Sequence, residues 1–183
     1  MSRIPYFDMD QATPELQELL KIRRPLNLYR MLPHATTIAP GFLKMGGAIL
    51  RDSAIDPVLR EIAILRVGFL SKAAYETHQH KRVARNAGIS DTKIAALEND
   101  ASDSEVFSPL ERLVILYTDD VVANVKASTA LFDELLAQLD HRRMAELTLT
   151  VGFYMMVSRF LENFDVDIEA QATSDGQVKY ASN

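Results

Sequence analysis

Apolar and polar positions follow a helical spacing along almost the whole chain. "TPELQELLKI" opens with Thr13 as an N-cap and Pro14 at the first helical position. "RPLNLYRMLPHATTIAPGF" is broken by Pro25, Pro33 and Pro40, which predicts short helical pieces, because proline lacks an N–H and clashes with the preceding turn. "GFLKMGGAILR" predicts a moderate helix, with Gly46-Gly47 marking close helix packing or substrate approach. "DPVLREIAILRVGFL" enters at Asp56 and Pro57. Its β-branched residues would also suit a strand, but its length and a fresh cap at Ser71 favour a helix. "KAAYETHQHKRVARNAG" predicts a helix that stops at Gly88. A short helix follows from Ser90, then the polar loop "DASDSEVF" from Asp100. "SPLERLVILYTDDVVAN" carries Ser108 and Glu111 at capping-box spacing, with Pro109 in the first turn. "STALFDELLAQLD" is amphipathic, and "HRRMAELTLTVGFYMMVSRFLENF" predicts one long, mainly apolar helix. The fold class is therefore all-α.

One echo stands out. Glu61 precedes Val67-Gly68-Phe69, and Glu146 precedes Val151-Gly152-Phe153. The two spacings differ by one residue, which suggests a weak internal helical repeat, with chance similarity as the alternative.

Composition narrows the chemistry. The chain has 183 residues, enough for one domain with a substantial core, and its net charge of −5 does not suggest a nucleic-acid partner. It has 0 cysteines, so disulfides, thiolate metal sites and thiol redox catalysis are impossible in this chain alone. "MSRIPYFDMD" shows no apolar signal region and no apolar run reaches a membrane span, so no membrane partner and a cytoplasmic location are expected.

The candidate chemistry lies on two consecutive helices. Val58, Glu61, Leu65 and Gly68 line one stripe of the first, so Glu61 stands where an apolar residue is expected. A carboxylate there must be paired, hydrogen-bonded or protonated, and burial moves its pKa toward the range of a general acid or base. A purely structural pairing with an arginine of a packed helix, such as Arg60 or Arg66 of a neighbouring subunit, is the alternative. On the second helix Ala73, Glu76, His80, Ala84 and Ala87 share a face of small residues. Glu76 and His80 stand at i and i+4, where the carboxylate can orient the imidazole. His78 points about 160° away and is expected at the surface. Glu61, Glu76 and His80 together offer three ligands to a metal, but the spacing lacks the second histidine of an HExxH pattern.

"LREIAILRVGFLSKAAYETHQHKRVARNAGIS" resembles the carboxymuconolactone decarboxylase-like family, which includes the alkyl hydroperoxidase D-like proteins. "SPLERLVILYTDDVVAN" and "MAELTLTVGFYMMVSRFLENFDV" resemble the family's closing helices, so the likeness spans roughly residues 35 to 168. The redox branch has an upstream glutamate, a Cys-x-x-Cys motif and a histidine four residues after the second cysteine. Here these positions are Glu61, Ala73, Glu76 and His80, which removes both redox sulfurs and excludes a Cys-dependent peroxidase. Where many long Cys-less relatives carry Tyr-Asn, this chain has Tyr154-Met155.

The resemblance implies a helical bundle of the alkyl hydroperoxidase D-like type, residues 35–170, after an N-terminal helical extension, 1–34, and before a polar tail, 171–183. It implies a homo-oligomer, a trimer or a hexamer built from trimers, and chemistry without metal or organic cofactor. The expected function is that of a lyase or isomerase acting by proton transfer on a small carboxylated or carbonyl metabolite, most specifically a 4-carboxymuconolactone decarboxylase-like activity of aromatic-compound catabolism. Glu61, His80 and Glu76 are the expected catalytic residues, and Tyr75 a substrate-binding one if its face turns inward. A non-catalytic oligomeric scaffold or binding protein and, less favoured, a metal-dependent hydrolase are the alternatives.

Overall fold

The computed structural model describes residues 1–101 and 103–169. Among these residues every regular element is helical: α1 (Pro14–Lys21), α2 (Asn27–Met31), α3 (Ala39–Arg51), α4 (Pro57–Leu70), α5 (Ala74–Asn86), α6 (Asp91–Glu98), α7 (Pro109–Asn124), α8 (Thr129–Gln138) and α9 (His141–Asn163). The expected all-α class holds, and the prolines do cut the second segment into short pieces. The polar tail 171–183 lies outside the described residues.

The described residues form two compact units, residues 1–45 with 164–169 and residues 46–163. In the first, the side chain of Asn27 donates to the Asp167 carbonyl at 2.8 Å and the Arg30 guanidinium stacks on the Tyr6 ring at 4.4 Å. The second unit holds the candidate chemistry and is organised around α4.

Every residue of α4 from Leu59 to Gly68 is buried. A helix that is apolar on nearly all sides is stable only when other helices surround it. Here α5, α6, α7 and α9 do so. Asp56 starts it, its Oδ1 accepting from the N–H groups of Val58 and Leu59, and Pro57 presets the first turn. The strand-like run Ile62, Ile64 and Val67 is helical because enclosure of the whole helix outweighs the weak backbone preference of branched residues. Arg66, also buried, reaches out of α4 to Asp119 on α7.

The turn into α5 corrects one expectation. Ser71 closes α4 instead of opening α5, and Lys72 takes a left-handed conformation at φ 54°. The N-cap of α5 is Ala73, which has no side chain to offer. Glu162 of α9 supplies the missing acceptor, taking the Ala74 N–H at 3.1 Å and placing negative charge at the positive end of the helix. At the other end Gly88, at φ 99°, allows the Ile89 N–H to reach the Ala84 carbonyl at 3.0 Å, a Schellman closure.

Glycines set two close approaches. A Cβ on Gly46 would lie 3.1 Å from Phe153 Cζ, so this glycine serves helix packing. A Cβ on Gly68 would lie 2.8 Å from Thr77 Cγ2. Thr77 has little room to yield, because its hydroxyl is bonded to the carbonyls of Ala73 and Ala74, both at 3.1 Å. The echoed glycine, Gly152, has nothing within 4 Å, and Glu146 binds the Ala54 N–H at 2.7 Å and the Ser53 hydroxyl at 3.0 Å, anchoring the loop before α4. The two halves of the echo are therefore used differently.

Gly68→Ala should destabilise the protein by about 1–3 kcal/mol despite its better helix propensity, because α4 and α5 are forced apart. Thr77→Ser removes the obstructing methyl and should recover most of the loss in the double variant. Chemical denaturation measures both, and a neutral Gly68→Ala would show that the approach is not tight.

Candidate active site

Glu61 of α4 and His80 of α5 meet across the paired helices. His80 Nδ1 lies 2.7 Å from Glu61 Oε2, and His80 Nε2 lies 3.0 Å from Glu76 Oε1. The i,i+4 spacing on α5 brings Glu76 onto the same imidazole that Glu61 reaches from α4. The side chains of Glu61, Glu76 and His80 are 0%, 5% and 10% exposed. The Tyr154 ring of α9 meets the imidazole edge-to-face, with centroids 5.0 Å apart and an interplanar angle of 83°. Arg60 Nε donates to the second oxygen of Glu61 at 3.4 Å.

Protonation follows from this geometry. A neutral imidazole has one N–H and would turn a bare lone pair toward one of the two carboxylates. The imidazolium donates to both. Burial pulls the His80 pKa down, but the charges and hydrogen bonds of Glu76 and Glu61 outweigh it and raise the value from 6.5 to about 10. Glu61, Glu76, the His80 imidazolium and the Arg60 guanidinium then sum to zero charge, which makes burial of all four tolerable. Both imidazole nitrogens are engaged by carboxylates, which leaves His80 no free lone pair for a metal. Among the described residues no group of three or more His, Asp or Glu has a metal-binding arrangement.

Three of the four expected site residues thus converge. Tyr75 is buried, 3% exposed, and lies five residues before His80, on another side of α5. His78 is exposed, as its spacing predicts. Arg66, weighed with Arg60 as a partner for Glu61, binds Asp119 and Asp100 instead. Two neighbours were not assigned to the site from sequence. Tyr154 lies in a mainly apolar run that carries no chemical signal of its own, and the sequence offers Arg60 only as a structural partner of Glu61. Ser158, one turn beyond Tyr154, is 1% exposed, and its hydroxyl has no hydrogen-bond partner among the described residues. A separate cavity of about 370 Å³ is lined by Tyr117, Val121, Phe132 and Thr148, and none of the trio borders it.

Comparison with known proteins bears on the fold. Residues 37–114 match the carboxymuconolactone decarboxylase family. No curated protein matches the sequence significantly. Among solved structures, an uncharacterized peroxidase-related protein from Ralstonia eutropha JMP134 with an alkylhydroperoxidase AhpD core superposes with a TM-score of 0.79 at 15% identity, covering 91% of this chain and 92% of that one. An uncharacterized peroxidase-related protein from Silicibacter sp. TM1040 gives 0.73 at 15% identity, covering 96% and 95%. The debrominase Bmp8, in complex with 2,3,4-tribromopyrrole, gives 0.69 at 15% identity, covering 93% and 95%. At this identity the likeness establishes the AhpD-like all-α fold.

A histidine whose folded-state pKa is raised stabilises the fold fully below its unfolded value and loses that contribution as pH rises through the folded value. Denaturant stability should therefore fall between pH 6.5 and about 10. His80→Gln should flatten this fall, and an equally steep fall in the variant would remove His80 as its source.

Proposed function

From the match of residues 37–114 to the carboxymuconolactone decarboxylase family, we propose that the protein is an acid–base lyase or isomerase working on a small carboxylated or carbonyl metabolite. Decarboxylation of a carboxymuconolactone-type acid is the leading specific case. The single observation that carries the reading is the buried Glu61–His80–Glu76 chain, in which one proton is held between two carboxylates by an imidazole.

Accessibility assigns the roles. Glu61 is wholly buried, so it positions and charges His80 from behind. What little of the chain is reachable belongs to His80 and Glu76. Glu76 stands where the redox branch of the family places its second cysteine, so a carboxylate replaces a thiol beside the same histidine. In the decarboxylation case the bond between the ring carbon and the departing carboxylate breaks, and CO₂ leaves. Its electron pair spreads into the conjugated lactone carbonyl as a dienolate. The imidazolium of His80 then delivers a proton to carbon, and the chain recovers that proton from water. Such positioned proton transfer contributes about 10²–10⁴-fold to rate.

A small planar ring is a reasonable occupant, since the fold neighbour Bmp8 was seen with a tribromopyrrole. Debromination itself does not transfer to this chain on that likeness. The homo-oligomer, trimer or hexamer, belongs to the same proposal and rests on the family resemblance.

Proton NMR in D₂O, with a panel of muconolactone acids and β-keto acids, tests the reading. We expect loss of one panel member with deuterium placed on carbon. Glu76→Gln and His80→Ala should each lower turnover at least ~100-fold. His80→Ala leaves two buried carboxylates without their cation, so its fold is checked by circular dichroism. Full turnover by both folded variants would overturn the assignment. No conversion by the wild type, together with a tolerated Glu61→Gln, would favour a non-catalytic scaffold.

A further inference from the structure

Two arginines are buried on α4, six residues apart, and they differ in what they hold. Arg66 engages its whole guanidinium: Nε and Nη2 bind the Asp119 carboxylate, Nη2 also binds Asp100, and Nη1 donates to the Leu97 carbonyl. Arg60 is comparably buried, 8% exposed against 4%. Its one acceptor is Glu61 Oε1, reached by Nε at the long distance of 3.4 Å. Among the described residues, neither Nη1 nor Nη2 of Arg60 has a protein acceptor. These amines are not sealed off. Among the described residues the Ser158 hydroxyl is the one buried side-chain polar atom both inaccessible and unpartnered, so the Arg60 amines still border space that water can enter.

Buried guanidinium groups are normally satisfied, and their planar fork matches a carboxylate in two parallel hydrogen bonds. We propose that Arg60 anchors a carboxylate of the substrate, one that stays on the product, through its two Nη amines while Nε rests on Glu61. This rests on the acid–base reading above and adds a substrate class to it: a small acid with an anionic carboxylate apart from its reacting carbon. Charge supports the assignment. Glu61, Glu76 and the His80 imidazolium sum to −1, which would repel an incoming anion. Arg60 brings the site to zero and presents its positive edge. A lysine would supply the charge without the fork.

The probes are adipate, levulinate and neutral dimethyl adipate, titrated by calorimetry into the full-length protein. The two acids should bind saturably at millimolar concentration and the diester should not. Arg60→Gln should weaken acid binding at least ~10-fold. Arg60→Lys, which keeps the buried charge and so protects the fold, should fall between the two. The proposal is overturned if neither acid saturates the wild type, if Arg60→Gln or Arg60→Lys binds as tightly as wild type, or if Arg60→Lys changes the oligomeric mass and so places Arg60 at a subunit contact. The deuterium experiment separates the two claims. Acid binding through Arg60 with no deuterium exchange on any panel member overturns the acid–base reading alone, whereas exchange with Arg60-independent binding overturns the anchor alone.

Discussion

A carboxylate with no solvent exposure, Glu61 at the centre of the most buried helix, is the constraint around which the second unit is arranged. Leaving such a charge without a partner costs about 3–5 kcal/mol, a large share of a domain's net stability. Its partner comes from a different helix, so α5 must lie close to α4 with His80 facing inward. Gly68 permits that approach, and Glu162 fixes the start of α5 from α9. Tyr154 then closes one edge of the imidazole. Each of these contacts is local in space, and together they hold one proton between two carboxylates.

The same constraint separates the two glutamates that the sequence makes look alike. Glu146 sits at the edge of α9 and binds the loop ahead of α4 together with Arg142. It has backbone and arginine partners near water and needs no imidazole. Glu61 is fully buried, and beyond one long contact from Arg60 at 3.4 Å its partner is the His80 imidazole. A repeated tripeptide therefore carries over a helix pattern without carrying over a site, because function depends on what faces the glutamate.

Much of this was legible in the residues. Caps at Asp56, Ser90 and the Ser108–Glu111 box are local signals, and all appear where their spacing puts them. Glu76 and His80 could be paired by i,i+4 geometry alone, and Glu61 stood out as a charge on an apolar stripe. What escaped sequence reading lies far apart along the chain. The cap of α5 comes from a residue 88 positions away, which no local motif reports, so Ser71 was favoured in its place. Arg60 and Arg66 are equivalent as letters, and only the positions of Asp119, Asp100 and the Leu97 carbonyl distinguish a satisfied guanidinium from one with open donors. Tyr154 belonged to a run of apolar residues whose helical face sequence could not aim.

The central claim is that His80 is an imidazolium held between two carboxylates. The most direct test is the ¹⁵N spectrum of its ring in the native protein at a pH between 6.5 and about 10. Two protonated nitrogens, with proton resonances shifted far downfield by hydrogen bonds to Glu61 and Glu76, are the result expected. One protonated and one bare nitrogen at that pH would mean a neutral histidine, a net negative site, and a proton relay that does not exist in the form described.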